Sequence, residues 1–309
     1  MKTPLPQIKA EADTLMRDLP SLLVKRGPAS TDYLGAAGRR RAGQGDNFWQ
    51  YRSFTTEDSV NRVDWRRSAR GDHLFVRESE LETARTFLFW CDPSAGFDWR
   101  GAPNTPTKAA RALSISLAFA SLITKSGDRC GVLGSGKKAK TGSGAAKKMS
   151  EDIWRASETS QLPSINQFAA SMIIASDFYR PLEDITNWIT HLATKNRHGV
   201  LLMVTDPIEA SYPYEGRINF FSPSNLKERL IGRAENLRET YLQRYVQRQE
   251  DIRTLAHSLG WEAVFHVTDT PAAPPLAHIV QYFSAQVGAG PKPSQITSSP
   301  SNKEGSAAT

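Results

Sequence analysis

Three short apolar segments that each end in an aspartate constrain the fold of this chain more than any other feature. They span residues 86–92, 171–177 and 199–206. Nearly continuous apolar runs of this length are typical of strands that are buried on both faces in a parallel sheet. Segments with helical patterns separate them, so the sequence predicts an α/β fold with a doubly wound, mostly parallel sheet.

The remaining pattern completes this sheet. Residues 129–134 and 262–268 predict two more strands, and helices are predicted at residues 107–124, 149–156, 181–194, 226–259 and 274–287. Residues 226–259 show the clearest helical spacing, which predicts one long helix packed on the sheet. A coiled-coil partner face is the alternative interpretation of that length.

The chain divides into four parts by composition. Residues 1–26 predict an amphipathic N-terminal helix, and residues 27–84 predict a β-rich extension with short strands and turns. The α/β domain follows at residues 85–287. Residues 288–309 are rich in Gly, Pro and Ser and predict a disordered tail.

Cysteine use and apolar patterning bear on the compartment. Cys91 and Cys130 lie inside apolar runs, which is typical of small buried thiols rather than of a disulfide framework. The chain begins with polar residues instead of an export signal, and its apolar runs are shorter than the roughly 18–20 residues of a membrane span. We therefore expect a cytoplasmic protein that contacts membranes only through partners.

The net charge of +7 is concentrated in residues 108–148, which contain nine Lys or Arg residues and one acid, Asp128. This segment could form an electropositive face for nucleic acid or for an acidic partner. A solvated lysine-rich loop is the other interpretation. No aromatic residues interleave with Lys137, Lys138, Lys140, Lys147 and Lys148, so a stacking platform for single strands is missing. We therefore expect no nucleic-acid partner, and nucleic-acid binding through this segment stays a less favoured alternative.

Motifs of catalysis are incomplete. Residues 131–138 resemble a phosphate loop, but Lys138 stands where magnesium binding requires Ser or Thr. Ser94 follows a strand without the glycine two residues earlier that a nucleophile elbow needs. These departures predict a protein that is not an enzyme.

Asp92, Ser94 and Asp177 form a candidate binding site, because ligands of such sheets bind outside the carboxyl ends of the strands. A carboxylate and a hydroxyl at positions i and i+2 of a turn can bind a hard cation, and Asp177 could add a third oxygen. The alternative is that Ser94 and Asp177 cap their turns.

The segment before the first apolar strand contains a Gly-rich stretch, residues 38–45, and then a set of charged and aromatic residues: Arg52, Asp58, Arg62, Asp64, Trp65 and Arg70. The charged and aromatic set could form a salt-bridged extension of the domain or a docking surface for a partner. This block resembles the hallmark of domain-of-unknown-function family 58, and the similarity continues over about residues 34–285. Phe54 and the Thr56–Glu57 pair depart from the family pattern.

The resemblance implies a von Willebrand A-like or Rossmann-like domain with a degenerate metal-ion-dependent adhesion site, in which Gly96 replaces a serine. It also implies a bacterial accessory protein, an adaptor without catalytic activity. Its partners would be a MoxR-type AAA+ ATPase and other von Willebrand A-like proteins, and it would take part in the assembly or maturation of further proteins. The alternative is an adhesion module that binds a ligand carboxylate through magnesium, and we otherwise expect no cofactor.

Overall fold

The computed structural model describes residues 3–26, 42–55, 63–69, 73–80, 84–156, 162–164, 170–195, 198–221 and 227–288. In chain order the elements are α1 Leu5–Arg26, β1 Ala42–Ser53, α2 Trp65–Ser68, β2 Phe75–Glu80, β3 Thr86–Cys91, α3 Lys108–Lys125, β4 Arg129–Val132, α4 Ser143–Trp154, β5 Ser171–Ser176, α5 Leu182–Lys195, β6 Gly199–Thr205, α6 Pro207–Ser211, β7 Ile218–Phe221, β8 Glu228–Ile231, a 3-10 helix Ala234–Leu237, α7 Arg238–Ser258, β9 Glu262–Val267 and α8 Ala273–Gly288.

The centre of the fold is a five-stranded sheet in the order β4-β3-β5-β6-β9, in which every pair of neighbours is parallel. All seven residues of β6 are buried, as expected for the strand that lies between two others and under helices on both faces. The predicted doubly wound α/β fold is confirmed.

Alternation along the strands divides the core between the two faces of the sheet. Phe87 and Phe89 point to one face, where they pack with α1, α3, α4 and α8. Leu88 and Trp90 point to the other face, where α5 and α7 cover them. Successive strand residues face opposite sides, so each strand contributes to both layers.

Helix α1 belongs to this core. Its apolar side chains Ile8, Ala12, Leu15 and Leu19 are buried against the layer that contains α3 and α8. Glu11 also receives a hydrogen bond from Arg111 of α3 at 2.6 Å, which fixes the helix beside α3. The predicted N-terminal helix therefore contributes one face to the α/β domain.

The prediction of one helix over residues 226–259 is wrong in its first third. Residues 228–231 form β8, which pairs antiparallel with β7, with Ile218 opposite Ile231. The spacing of Leu230, Ala234 and Leu237 fits a helix, yet Leu230 and Leu237 are exposed and only Ala234 is buried. Pairing with β7 outweighs this weak local preference, and α7 begins only at Arg238.

The extension before the sheet contains an antiparallel pair, β1 with β2, in which two register shifts interrupt the ladder. The predicted disordered tail lies outside the described residues, apart from Gly288, which ends α8. No helix among the described parts of the chain is both long and apolar enough to cross a membrane.

Gly199 opens β6 at a close approach between the strand and an indole ring. A Cβ at this position would lie 2.3 Å from Cε3 of Trp261. We expect Gly199→Ala to lower the free energy of unfolding by about 1–3 kcal/mol, because the ring must move out of a packed core. Urea denaturation measures this change.

Gly144→Ala is the matched control, because its Cβ would meet nothing within 4 Å in α4. This control is expected to stabilise by about 0.5–1 kcal/mol, and equal effects of the two substitutions would contradict the packing argument.

Candidate functional site

The strands β3, β5 and β6 end side by side, and each is followed by a buried aspartate: Asp92, Asp177 and Asp206. The backbone N–H of Asp92 still donates to Ala175 of β5 at 2.9 Å, so the first two aspartates leave the sheet from adjacent positions. We refer to this part of the molecule as the carboxyl edge.

Asp92 and Ser94 are engaged within their own turn. Asp92 Oδ1 accepts a hydrogen bond from the backbone N–H of Ser94 at 2.9 Å, and Oδ2 accepts one from Ser176 Oγ at 2.8 Å. Ser94 Oγ accepts from the backbone N–H of Phe97 at 3.3 Å. A guanidinium nitrogen, Nε of Arg180, lies 4.0 Å from Asp92 Oδ2. These bonds match the turn-capping alternative for Ser94.

Asp177 divides its two oxygens between the backbone and a lysine. Oδ1 accepts from the N–H of Tyr179 at 3.2 Å, which caps the turn after β5. Oδ2 accepts from Nζ of Lys108 at 2.8 Å. The same ammonium donates to Glu209 Oε1 at 2.6 Å, so one lysine joins two carboxylates.

Glu209 is held in place by the capping box of α6. The side chain of Asp206 accepts from the N–H of Ile208 at 3.0 Å, and Glu209 Oε2 accepts from the N–H of Asp206 at 2.9 Å. The other Asp206 oxygen accepts from the N–H of Gly101 at 2.9 Å, which ties α6 to the loop after β3.

The electrostatics of the three ionisable side chains follow from burial and proximity. Burial alone would lower the pKa of the Lys108 ammonium, but the charges of Asp177 and Glu209 outweigh it, so this pKa lies above its ordinary value. Burial raises the pKa of Glu209, and Lys108 offsets only part of that shift. The ammonium therefore stays charged, and the raised pKa makes the Glu209 carboxyl easier to protonate than an ordinary glutamate.

Aromatic rings surround the ammonium. Nζ of Lys108 lies 5.9 Å from the ring centroid of Trp99 and 5.3 Å from that of Tyr179. Both distances suit cation–π contacts, which favour the charged form of the lysine. Tyr179 remains partly exposed, so its ring forms the outer boundary of the site.

The arrangement does not fit the magnesium site that the resemblance implies. Asp177 contacts an ammonium, and the oxygens of Asp92 and Ser94 accept hydrogen bonds from neighbouring N–H and O–H groups. In the part of the chain that the structure describes, no three His, Cys, Asp or Glu side chains are grouped to hold a metal ion. The carboxyl edge carries a lysine where a metal site would need free oxygens.

Contacts within the chain engage four of the nine Lys and Arg residues of the basic segment 108–148. Lys108 is buried, and Arg111 pairs with Glu11. Lys137 and Lys148 both lie close to Asp152, with Nζ–O distances of 3.1 and 3.2 Å. The sequence count therefore overstates the charge that this segment presents to a ligand.

The hallmark residues are only partly described. Asp64 caps α2 by accepting from the N–H of Arg67 at 3.1 Å, and Trp65 is exposed over 59% of its surface. Arg52 lies in β1, but the structure does not describe its side chain. Asp58, Arg62 and Arg70 also lie outside the described residues. Both interpretations of the hallmark residues, a salt-bridged extension and a docking surface, therefore stay predictions.

Sequence reasoning missed Lys108 and Glu209 as members of the site. By sequence Lys108 belongs to the basic segment 108–148. The signal that sets it apart is its predicted place in the first turn of a helix, where the helix dipole disfavours a cation that has no anionic partner. The signal for Glu209 was Asp206 followed three residues later by Glu, directly after a buried strand, which is the pattern of a capping box.

Comparison with known proteins identifies one family. The family model described as "Protein of unknown function DUF58" matches residues 50–251, which include the site and most of the sheet. No curated protein and no solved structure matches the chain.

Proposed function

Because this chain belongs to the family described as protein of unknown function DUF58, we propose that it is a non-enzymatic adaptor that binds a partner protein. The partner class that we propose, a MoxR-type AAA+ ATPase with its associated von Willebrand A-like proteins, rests on the family resemblance alone. The observation that carries the adaptor role is an exposed apolar surface on the β7–β8 hairpin.

Two large apolar side chains form this surface. Phe221 and Leu230 are exposed over 55% and 54% of their surface. The β7–β8 register places Asn219 opposite Leu230 and Phe221 opposite Glu228, so Phe221 and Leu230 are diagonal neighbours on one face of the hairpin. Leu237, which ends the 3-10 helix, and Val246 of α7 are also exposed, over 42% and 62% of their surface. Grouped exposed apolar residues of this kind are typical of protein-interaction sites.

The opposite face of the hairpin holds it in position. The rings of Phe220 and Tyr212 lie 6.2 Å apart, and the ring of Tyr212 lies 4.7 Å from that of Tyr241 on α7. The ring of Tyr214 contacts Phe220 at 5.0 Å. Aromatic packing on the inner face thus orients Phe221 and Leu230 outward, which prepares the surface for binding.

The surroundings of the surface indicate the chemistry of the partner. Residues 217–253 contain eight Lys or Arg and five Asp or Glu residues, so the region carries a positive charge. None of the residues 238–251 of α7 is buried. Arginine next to exposed aromatic and aliphatic side chains is favoured at binding interfaces. We infer a partner surface that is apolar at its centre and acidic at its rim.

The carboxyl edge supports a role without catalysis. The carboxylates of Asp92, Asp177 and Asp206 accept hydrogen bonds from their own chain, and Glu209 is paired with Lys108. Burial raises the pKa of the Cys91 thiol to about 12 and that of Cys130 to about 11, which suppresses their nucleophilic thiolates. Two unpaired thiols also suit the cytoplasmic location that we propose.

The interaction is tested by binding the full-length chain to a MoxR-type AAA+ ATPase of its own organism, in the ATP, ADP and nucleotide-free states. We expect a complex in at least one state. The double substitution Phe221→Ser and Leu230→Ser should weaken it by about tenfold or more, because two exposed apolar contacts are lost. Surface plasmon resonance measures the dissociation constants.

Leu74→Ser is the matched control, because Leu74 is also a large exposed apolar residue but belongs to the extension before the sheet. It should leave the dissociation constant unchanged. Absence of a complex in all three nucleotide states contradicts the choice of partner. A complex that the hairpin substitutions leave intact contradicts the choice of surface.

A further inference from the structure

We propose that the ammonium of Lys108 is the resident cation of the carboxyl edge, and that this edge becomes a divalent-cation site only when Lys108 is replaced by a small uncharged residue. The inference concerns cation binding alone and does not depend on the partner proposed above. It is carried by the burial of Lys108 and by the way its two carboxylates are held.

Lys108 occupies an unusual position for its residue type. It is the first residue of α3, directly after the N-cap Thr107, and only 1% of its surface is exposed. A cation in the first turn of a helix is disfavoured by the helix dipole, and burial adds a desolvation cost. The two carboxylates compensate both costs. The side chain therefore supplies positive charge to Asp177 and Glu209.

The two carboxylates are preorganised around a cation. Each uses one oxygen to accept from a backbone N–H: Asp177 from Tyr179 at 3.2 Å and Glu209 from Asp206 at 2.9 Å. Each directs its second oxygen at Lys108, at 2.8 and 2.6 Å. Because backbone bonds hold both groups, their orientation does not depend on the lysine.

The distances are close to those of a bound metal ion. Calcium binds carboxylate oxygens at about 2.3–2.6 Å and magnesium at about 2.0–2.1 Å, and magnesium is commonly held by one or two carboxylates with water in the remaining positions. An ion at the place of Nζ would need shifts of a few tenths of an ångström for calcium and more for magnesium. Without the ammonium, two negative charges would face each other in a buried place, which strongly favours uptake of a divalent ion.

The test compares the thermal unfolding of the full-length wild type and Lys108→Ala in EDTA, calcium chloride and magnesium chloride, together with calorimetric titration of each ion. The wild type should bind neither ion and keep its Tm. Lys108→Ala should unfold at a lower temperature in EDTA. Its Tm should rise by about 3–5 °C when calcium is tenfold above its dissociation constant, because the ion binds only the folded state.

Two variants distinguish site binding from general salt effects. Lys108→Ala combined with Asp177→Asn and Glu209→Gln removes the buried charges, and this chain should fold without responding to calcium. Lys9→Ala breaks the partly exposed pair of Lys9 with Glu151 and should also show no response. Calcium binding by the wild type overturns the proposal. The proposal is also overturned if neither ion stabilises Lys108→Ala, whether or not this variant folds in EDTA.

Discussion

Lys108→Met is expected to lower the free energy of unfolding by about 3–5 kcal/mol near neutral pH in EDTA. Removing one partner of a buried ion pair leaves the other as an uncompensated charge, and this loss is far larger than the net contribution of the intact pair. Methionine keeps most of the volume of the lysine, so the change isolates the charge. Urea denaturation followed by far-ultraviolet circular dichroism measures it.

The pH dependence of this variant separates the loss of charge from a packing defect. Burial raises the pKa of Glu209 even beside Lys108. An acid whose pKa is raised on folding contributes stability at low pH and loses that contribution as the pH rises through its folded value. Lys108→Met should therefore regain stability relative to the wild type as the pH falls toward 5. A difference that is independent of pH would indicate a packing defect instead.

Lys9→Met is the control, because it also removes an ammonium from an ion pair with an N–O distance of 3.0 Å but leaves a partly exposed carboxylate on Glu151. It should cost much less than Lys108→Met, because solvent screens the carboxylate that it leaves behind. Lys108→Met with Glu209→Gln should recover part of the lost stability. If the two lysine variants are equally stable, Lys108 does not compensate buried carboxylates.

The parallel sheet was predictable because burial on both faces leaves a strong signal in the strands. The run of residues 199–206 is apolar throughout and ends in an acid, and in the structure β6 is fully buried with Asp206 at its end. The same reasoning placed Asp92 and Asp177 on neighbouring strand ends. Such a signal is local, so one sequence is sufficient to detect it.

The hairpin was not predictable in the same way. The four residues of β8 are exposed or half-buried, and their stability comes from pairing with β7 and from the aromatic packing of Phe220 on Tyr212. These contacts are not local in sequence. The apolar spacing at Leu230, Ala234 and Leu237 imitated a helix, and the only contrary signal was Gly232 directly after Ile231.

The carboxyl edge was predictable in position but not in chemistry. Sequence spacing placed Asp92, Ser94 and Asp177 at strand ends, where a degenerate metal site and turn capping are both possible. It could not show that Lys108, 69 residues before Asp177, lies at the same edge of the sheet and contacts it. Pairing between distant residues leaves no periodic pattern, so a single sequence does not reveal it. For the same reason, the sequence alone did not reveal the contact of Lys108 with Glu209.

His266 is expected to make the stability of the folded protein depend strongly on pH. It lies in β9, and its Nδ1 is 3.2 Å from the hydroxyl oxygen of Thr270. That hydroxyl donates its one hydrogen to the carbonyl oxygen of Val267 at 2.8 Å, so Nδ1 must be the donor and Nε2 carries the lone pair. Nε2 is buried and has no hydrogen-bond partner among the described residues. Protonation would place a second cation near Arg111.

Acid is therefore expected to destabilise the protein through His266. Burial, with a smaller effect of Arg111, lowers the pKa of His266 from 6.5 to about 4. Below pH 6.5 the unfolded chain binds a proton that the folded chain does not, so stability falls as the pH decreases. The loss reaches about 3 kcal/mol at pH 4, since each pKa unit corresponds to about 1.4 kcal/mol.

The contribution of His266 is isolated by comparing the wild type with His266→Gln, because other acids also titrate in this range. The wild type should be the more stable protein at pH 7, and its advantage should shrink by about 3 kcal/mol toward pH 4. His257→Gln replaces an exposed histidine of α7 and should track the wild type throughout. A constant difference between the wild type and His266→Gln would show that the folded protein accepts the proton as readily as the unfolded chain. That result would contradict the assignment of a neutral, buried imidazole to His266.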